Sequence, residues 1–420
     1  MERKSEPIAV SVTDGGIRLS AVLERPLPGP GPLVIFLHGF TSGKDRPHNV
    51  ASCEAMREAG FATLRMDLYG HGESGGEFRK HTLNHWVSNA LAAVDWAENQ
   101  DWVTEIWLSG HSQGGLTAAL AAAKAPERIR GLILRAPAFM IPECARSGHM
   151  LSHPFDPAHI PDEVPVIKGL TLEKGYFLAA QSIHVEDAID GFPGPVLLIH
   201  GDEDDTVPVE DSVKAAKRYR QATLEIIRGE GHHFDHHPAQ MKAVIREWLA
   251  RYRKPRVILL NGPSSSGKST LSKALQMLVL DRMNRRYDVI SIDDCMKVPP
   301  DETIYEDDVY EISGDMVQGA LDALKTSAGV IIDHVITSER IYQGLEDALK
   351  PYAMVKVRVT CPLDILKQRE KARGNRFPGS AESSSTYLFP KDGYDLTIDT
   401  GSMSSHDAAA VIFGLFLCDR

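Results

Sequence analysis

Gly110-His111-Ser112-Gln113-Gly114 sets a serine between two glycines where an apolar strand turns into an alanine-rich helix. The glycines let strand and helix approach without a Cβ clash, so the serine hydroxyl is exposed at the helix N-terminus. Such a hydroxyl attacks only with a base beside it and a carboxylate to orient that base. HGDEDDTVP (200–208) places Asp204 just past a buried strand, and GEGHHF (229–234) places His232 after another. Asp202 and Asp205 compete for the acid role, and His233, His236 and His237 for the base. Acyl transfer also needs two N–H groups aimed at the developing oxyanion. Gln113, directly after the serine, and Phe40, in the turn His38-Gly39-Phe40, are the candidates. The blander readings are a helix N-cap for Ser112 and a solvated loop for HHFDHH (232–237), with a metal site in that loop as the other alternative.

A second constellation follows. Gly262-Pro263-Ser264-Ser265-Ser266-Gly267-Lys268-Ser269 is G-x-x-x-x-G-K-S between a strand and a helix. Loops of this pattern wrap a polyphosphate in backbone N–H groups, with the lysine on the β/γ-phosphates and the serine on Mg²⁺. Gly262, Ser264, Ser265, Ser266, Gly267, Lys268, Ser269 and Thr270 are thus the expected nucleotide contacts. YDVISIDD (287–294) ends in carboxylates, of which Asp293 or Asp294 could take a proton from an acceptor hydroxyl. Asp333, closing GVIIDH (329–334), is the expected metal partner of Ser269. Arg369, Arg373 and Arg376 recur at helical spacing and suit a lid over a transferring phosphoryl group, or else a solvated basic face.

These residues require a scaffold of alternating strands and helices. Residues 8–25 alternate apolar and polar around Asp14-Gly15-Gly16, a hairpin signal. LVIFLHG (33–39) is a continuous apolar run, as strands buried on both faces are. FATLRMD (61–67), EIWLSG (105–110), GLILRAP (131–137) and PVLLIHG (195–201) read likewise, with helical patterns between them. That rhythm predicts a doubly wound parallel sheet. Residues 140–192 break it with prolines, histidines and no clear strand, and are expected to form a cap over the ligand-binding sheet edge. After a helix at 239–252, RVILLNG (256–262) starts a new sheet, so the expected domains are 1–253 and 254–420.

At 420 residues the chain suits two domains. Its 43% hydrophobic and 25% charged residues exclude a mostly disordered chain. A net charge of −11 argues against a nucleic-acid surface. Five cysteines without metal-like spacing read as reduced thiols in a cytoplasmic protein. No apolar run approaches the roughly 20 residues of a membrane span, so no membrane partner is expected. The apolar stretch 411–418 reads as a buried helix.

HGFTSGKD (38–45), DLYGHGESGG (67–76), GHSQGG (110–115) and the cap stretch 159–187 resemble the cinnamoyl/feruloyl esterases of the α/β-hydrolase superfamily. The first motifs are shared with monoacylglycerol lipases, whereas the cap stretch favours the esterases. The resemblance implies Asp204 as acid and His232 as base. It also implies a cap tyrosine near the GYF segment that meets the phenolic end of the substrate. Here Tyr176 stands in that segment, and the family's position falls nearer Phe177, so both are expected substrate contacts. No cofactor is expected for this half.

Residues 256–420 resemble the chloramphenicol phosphotransferase-like P-loop kinases through LLNGPSSSGKST, SIDD, IIDHV, REKARGNR and YDLTIDT. That resemblance implies ATP and Mg²⁺, a base at Asp293 and lid arginines in REKARGNR. It departs from the family pattern at Pro390, where a histidine is expected. The expected fold is an α/β hydrolase with a cap, followed by a nucleoside-kinase-like P-loop NTPase domain. The expected function is a serine carboxylesterase fused to a phosphotransferase for small-molecule hydroxyls. The alternatives are an esterase regulated by a nucleotide-binding module, or a thioesterase, acyltransferase or peptidase in the first half.

Overall fold

The structure, a computed structural model, describes residues 6–150, 153–296, 306–373 and 379–418. The chain divides into two units, Met1–Leu27 with Gly31–Tyr252, and Pro28–Pro30 with Arg253–Arg420.

The first unit opens with β1 (Ile8–Asp14) and β2 (Ile17–Glu24), an antiparallel pair closed by Gly15 and Gly16, both at positive φ. A two-residue turn of that kind matches the twist of the strands it joins. β3 (Gly31–Leu37), β4 (Ala62–Met66), β5 (Val103–His111) and β6 (Gly131–Arg135) follow. Four short strands then come between β6 and the rest of the sheet: β7 (His149–Met150), β8 (His153–Pro154), β9 (Glu163–Pro165) and β10 (Thr171–Glu173). β11 (Pro195–Gly201) and β12 (Gln221–Ile227) complete the main sheet, whose order is β1-β2-β4-β3-β5-β6-β11-β12. From β4 to β12 all neighbours run parallel. Leu33, Ile35 and Leu37 of β3 pack with Trp86 and Leu116 on one face, while Val34 and Phe36 pack with Met56 and Trp248 on the other. Burial on both faces explains why these strands read as unbroken apolar runs.

The segment 140–192 is not strandless. It pairs β7 with β8 and β9 with β10, and adds helices Ile141–Ser147, Lys174–Gln181 and Val185–Asp190. Strands of two or three residues are too short to show a period of two, which is why the sequence hides them.

The second unit is a parallel sheet of β13 (Val257–Asn261), β14 (Tyr287–Ser291), β15 (Gly329–His334), β16 (Met354–Thr360) and β17 (Leu396–Asp399), in the order β14-β15-β13-β16-β17. The chain order reverses at β13, so the loop after it lies at the switch point where ligands bind in such sheets. The helix Lys268–Met283 follows that loop. The last apolar stretch departs from expectation. Ile412 and Leu417 are buried, but Leu415 is 47% exposed, because this helical segment packs on one side only. None of the helices of the described residues is long and apolar enough to cross a membrane.

The tightest constraint in the first unit lies between β5 and the helix after it. A Cβ on Gly110 would stand 2.1 Å from the carbonyl oxygen of Gly114, and one on Gly114 would stand 2.3 Å from that of Leu37. Both obstacles are backbone and cannot rotate away. Gly114→Ala should therefore lower stability by about 1–3 kcal/mol or more, measured by denaturant unfolding; a variant as stable as wild type would mean that the elbow is not tightly packed.

Candidate active sites

Ser112 joins β5 to the helix Gln113–Lys124 at φ 55° and ψ −122°. A serine at positive φ is strained, and here the close glycine contacts impose it. The residue is 9% exposed, so it is reachable from solvent yet flanked on most sides. Its N–H donates to the Arg135 carbonyl of β6, and its own carbonyl accepts from Ala138.

Asp204 and His232 come from the loops after β11 and β12. His232 Nδ1 lies 2.7 Å from Asp204 Oδ2. The other carboxylate oxygen accepts from the N–H groups of Thr206 and Val207, at 2.9 and 2.8 Å. Burial works to raise the Asp204 pKa, but hydrogen bonds from His200 and His232 overcome it and hold the carboxyl well below its ordinary range. Asp202 and Asp205 are turned to other tasks, on Gly229 N–H and the Thr206 hydroxyl. Among the competing histidines, His236 bonds the Gly229 carbonyl and His233 is exposed.

Two residues missed in the sequence support this pair. His200 places Nε2 3.2 Å from Asp204 Oδ2 and Nδ1 2.7 Å from the Ser212 hydroxyl. Glu230 is fully buried and accepts from the backbone N–H groups of Gly231, His236 and His237, bracing the loop around His232. His111 does the same from the elbow: its Nε2–H donates to the His232 carbonyl at 2.8 Å.

The loop after β3, which carries Phe40, is held by buried polar groups. His38 donates from Nδ1 to Gly39 and accepts at Nε2 from Leu68 N–H, at 2.8 and 3.0 Å. Lys44 Nζ lies 2.8 Å from both Asp67 and Glu73, and Lys44 N–H donates to Asp67 Oδ1 at 2.7 Å. Burial favours protonation of Asp67, yet the hydrogen bonds from Lys44 and Glu73 N–H hold its pKa below the ordinary 3.8. Gln113 is gripped from the cap: the Tyr176 hydroxyl donates to its Oε1 at 2.8 Å. Tyr176 and Phe177 are both fully buried, Phe177 against Phe155 at 4.7 Å between ring centroids. Both thus sit in the packed base of the cap, with the Tyr176 hydroxyl committed to Gln113.

In the second unit the loop 262–267 carries Ser265 at φ 64° and Gly267 at φ 90°. A Cβ on Gly262 would meet the Val359 carbonyl oxygen at 2.1 Å. The hydroxyls of Ser264, Ser265 and Ser266 are buried without a hydrogen-bond partner. Lys268 Nζ donates to the Pro263 carbonyl at 3.0 Å and lies 3.9 Å from Asp333. The Ser269 hydroxyl donates to Asp333 Oδ2 at 2.6 Å. Buried, unpartnered hydroxyls of this kind suit an anion, and the hydroxyl–carboxylate pair suits a magnesium ion. Thr270 sits in the first turn of the helix. Asp293 opens the short helix Ile292–Cys295, its N–H capped by Ser291, while Asp294 beside it is exposed. Arg369 donates to Thr400, whose hydroxyl donates to the Ser266 carbonyl, so this arginine is fastened to the phosphate loop. Arg373 is exposed at the end of its helix, and Arg376 lies outside the described residues.

The model of the chloramphenicol phosphotransferase-like protein family matches residues 255–415, and that of the serine aminopeptidase S33 family matches 29–162. A solved structure of Est1E from Butyrivibrio proteoclasticus with ferulic acid bound is 45% identical, covering 58% of this chain and 98% of that one at a TM-score of 0.57. The chain belongs to the α/β hydrolases in its first unit, and its second unit matches the chloramphenicol phosphotransferase-like family model over nearly its whole length. More distant relatives of the hydrolase include mouse palmitoyl-protein thioesterase ABHD10, 27% identical over 49% of this chain and 70% of its own length. Human ABHD12B is 26% identical over 47% of this chain, which spans about half (53%) of that relative's length.

Within the α/β hydrolase, Lys44 leaves a test. Lys44→Met strands Asp67 as a buried charge, an error that costs about 3–5 kcal/mol. Asp67 has a depressed pKa, so the stabilisation is present above the ordinary 3.8 and fades as pH falls through the lower folded value. Unfolding free energies of wild type and variant should differ most near neutrality and converge in acid; a gap that widens in acid would count against the pair. Tyr176→Phe should lower kcat for any ester while leaving the fold intact, since it loosens Gln113 alone; unchanged kcat would detach the cap from the elbow.

Proposed function

We propose that residues 1–253 are a serine carboxylesterase and residues 254–420 an ATP-dependent phosphotransferase acting on a small-molecule hydroxyl. The observation that carries the first part is Ser112, strained to φ 55° and 9% exposed, on an elbow tied to the loop of a His232–Asp204 pair 2.7 Å apart. Ser112 attacks the ester carbonyl while His232 takes its proton. Asp204 keeps the imidazole in the tautomer that can do so and stabilises the imidazolium. The N–H groups of Phe40 and Gln113 receive the oxyanion. His232 returns the proton to the leaving alcohol, and water then releases the acyl group from Ser112.

An aromatic acyl group is the favoured substrate. Phe40 lies 5.4 Å from Phe78 and 5.6 Å from His81 between ring centroids, so the proposed oxyanion residue stands among flat rings. Est1E, whose structure holds ferulic acid, points the same way. The likeness to a palmitoyl-protein thioesterase supports a second reading, acyl transfer from a thioester. Paired p-nitrophenyl cinnamate and S-acyl substrates separate the two by kcat/KM. Ser112→Ala should lose on the order of 10⁶ in kcat on whichever is the substrate; retained turnover would displace the nucleophile.

What supports the second part is the row of three buried, unpartnered hydroxyls at Ser264, Ser265 and Ser266 beside the Ser269–Asp333 pair. ATP, when bound, supplies the phosphoryl group. Gly262 and residues 264–270 would hold its phosphates, Ser269 and Asp333 a magnesium ion, and Arg369, Arg373 and Arg376 the lid side. Asp293 takes the proton of the acceptor hydroxyl. The rival, a nucleotide-binding module that regulates the esterase, makes a different forecast. Lys268→Ala should abolish phosphoryl transfer to an alcohol library and leave ester kcat/KM unchanged. A non-hydrolysable ATP analogue that changes ester kcat/KM in wild type but not in Lys268→Ala would favour regulation instead.

A further inference from the structure

Three histidines from three separate elements meet beside the elbow. His48 is the second residue of the helix Pro47–Glu58, His111 ends β5, and His233 follows the proposed base. One ring nitrogen of each lies within 4.8 Å of the others. Their ring centroids are 5.1 Å apart for His48–His111, 5.2 Å for His48–His233 and 5.8 Å for His111–His233. Three imidazoles on a tetrahedral ion, with metal–nitrogen bonds of about 2.0–2.1 Å, have centroids about 5 Å apart and nitrogens about 3.3 Å apart. The ring centroids therefore stand near ligand spacing, while the nitrogens, within 4.8 Å of one another, have still to close. Coordination would require χ rotation that brings these nitrogens to about 3.3 Å.

One hydrogen bond fixes a tautomer in this cluster. A carbonyl only accepts, so the contact between His111 Nε2 and the His232 oxygen puts the proton on Nε2 and leaves a lone pair on Nδ1. That Nδ1 is buried without a hydrogen-bond partner, and so is His48 Nε2. A ring nitrogen freed for coordination while its opposite N–H is held by a backbone carbonyl is the arrangement common among metal-bound histidines. We propose that His48, His111 and His233 bind a divalent transition-metal ion of the zinc or copper class. This departs from the expectation that the first half carries no cofactor, and it stands independently of which ester the enzyme cleaves.

One neighbour opposes it. Arg135 is fully buried, donates to Asn49 Oδ1 at 3.0 Å, and has Nε and Nη1 unpartnered. Its charge repels a cation, which restricts the site to ions with strong affinity for imidazole and excludes Mg²⁺ and Ca²⁺. The competing occupant is a buried water shared between the Arg135 N–H groups and the two imidazoles. A bound ion would clip the loop of His232 to the elbow of Ser112, since its ligands are the chain neighbours of both.

The test is calorimetric titration of the chelator-treated full chain with Zn²⁺ and, separately, Mg²⁺. The expected result is one Zn²⁺ per chain and no Mg²⁺ uptake at this site, the latter read in Asp333→Ala, which removes the carboxylate of the proposed magnesium pair in the second unit. His48→Ala and His233→Ala should each weaken Zn²⁺ at least tenfold, while His236→Ala and His237→Ala leave it unchanged. Arg135→Met should tighten it. Thermal unfolding without metal identifies any variant that fails to fold, and His233, being exposed, keeps the test open if His48→Ala does. No Zn²⁺ binding, or binding indifferent to both His48→Ala and His233→Ala, overturns the proposal and leaves the water.

Discussion

The backbone of Ser112 is held at φ 55° because β5 and the following helix close on each other where Gly110 and Gly114 carry no side chain. A residue in that conformation costs on the order of 1–3 kcal/mol, so the surrounding contacts must over-determine it. They do so from several directions. Ser112 N–H is fixed to β6, Ala138 N–H returns to the serine carbonyl, and His111 reaches the loop after β12. A hydroxyl raised at the end of a parallel strand follows from this one close approach.

The loops that face the elbow are secured by buried polar groups as well as by the apolar packing of Val207, Phe234 and Phe40. Asp204 receives four hydrogen-bonding contacts, from His200, His232, Thr206 and Val207, which holds its carboxylate ionised despite full side-chain burial. Glu230 and the Lys44–Asp67 pair serve the His232 and Phe40 loops in the same manner. Such networks are rigid when complete and costly when broken, which suits loops that must place atoms within tenths of an ångström. The phosphate loop of the second unit is the opposite case. Its buried serine hydroxyls are left unpartnered, and Lys268 folds back on the Pro263 carbonyl. Polar atoms held in that state suit a ligand, whereas the carboxylates of Asp204, Glu230 and Asp67 around the elbow are satisfied by the protein.

Sequence alone determined the layer architecture and pointed to the kinds of chemistry proposed, because both are written in local pattern. Glycine spacing marks the elbow and the phosphate loop, and apolar runs mark strands buried on both faces. The acidic turn at 202–205 and the histidines of 232–237 were legible as sets. Asp204 and His232 were singled out of those sets by the family resemblance and not by local pattern, since Asp204 differs from Asp202 and Asp205 only in where its side chain points after β11 turns. The tertiary structure supplied the 2.7 Å contact between His232 and Asp204, and it alone decided that His200 and Glu230 brace them and that Tyr176 spends its hydroxyl on Gln113. It also brought His48 and His111 to His233 across 185 positions of chain. The physical reason is common to all of these. Periodicity and turn chemistry act over a few residues, whereas a hydrogen bond or a ligand set depends on which loops the sheet order makes neighbours.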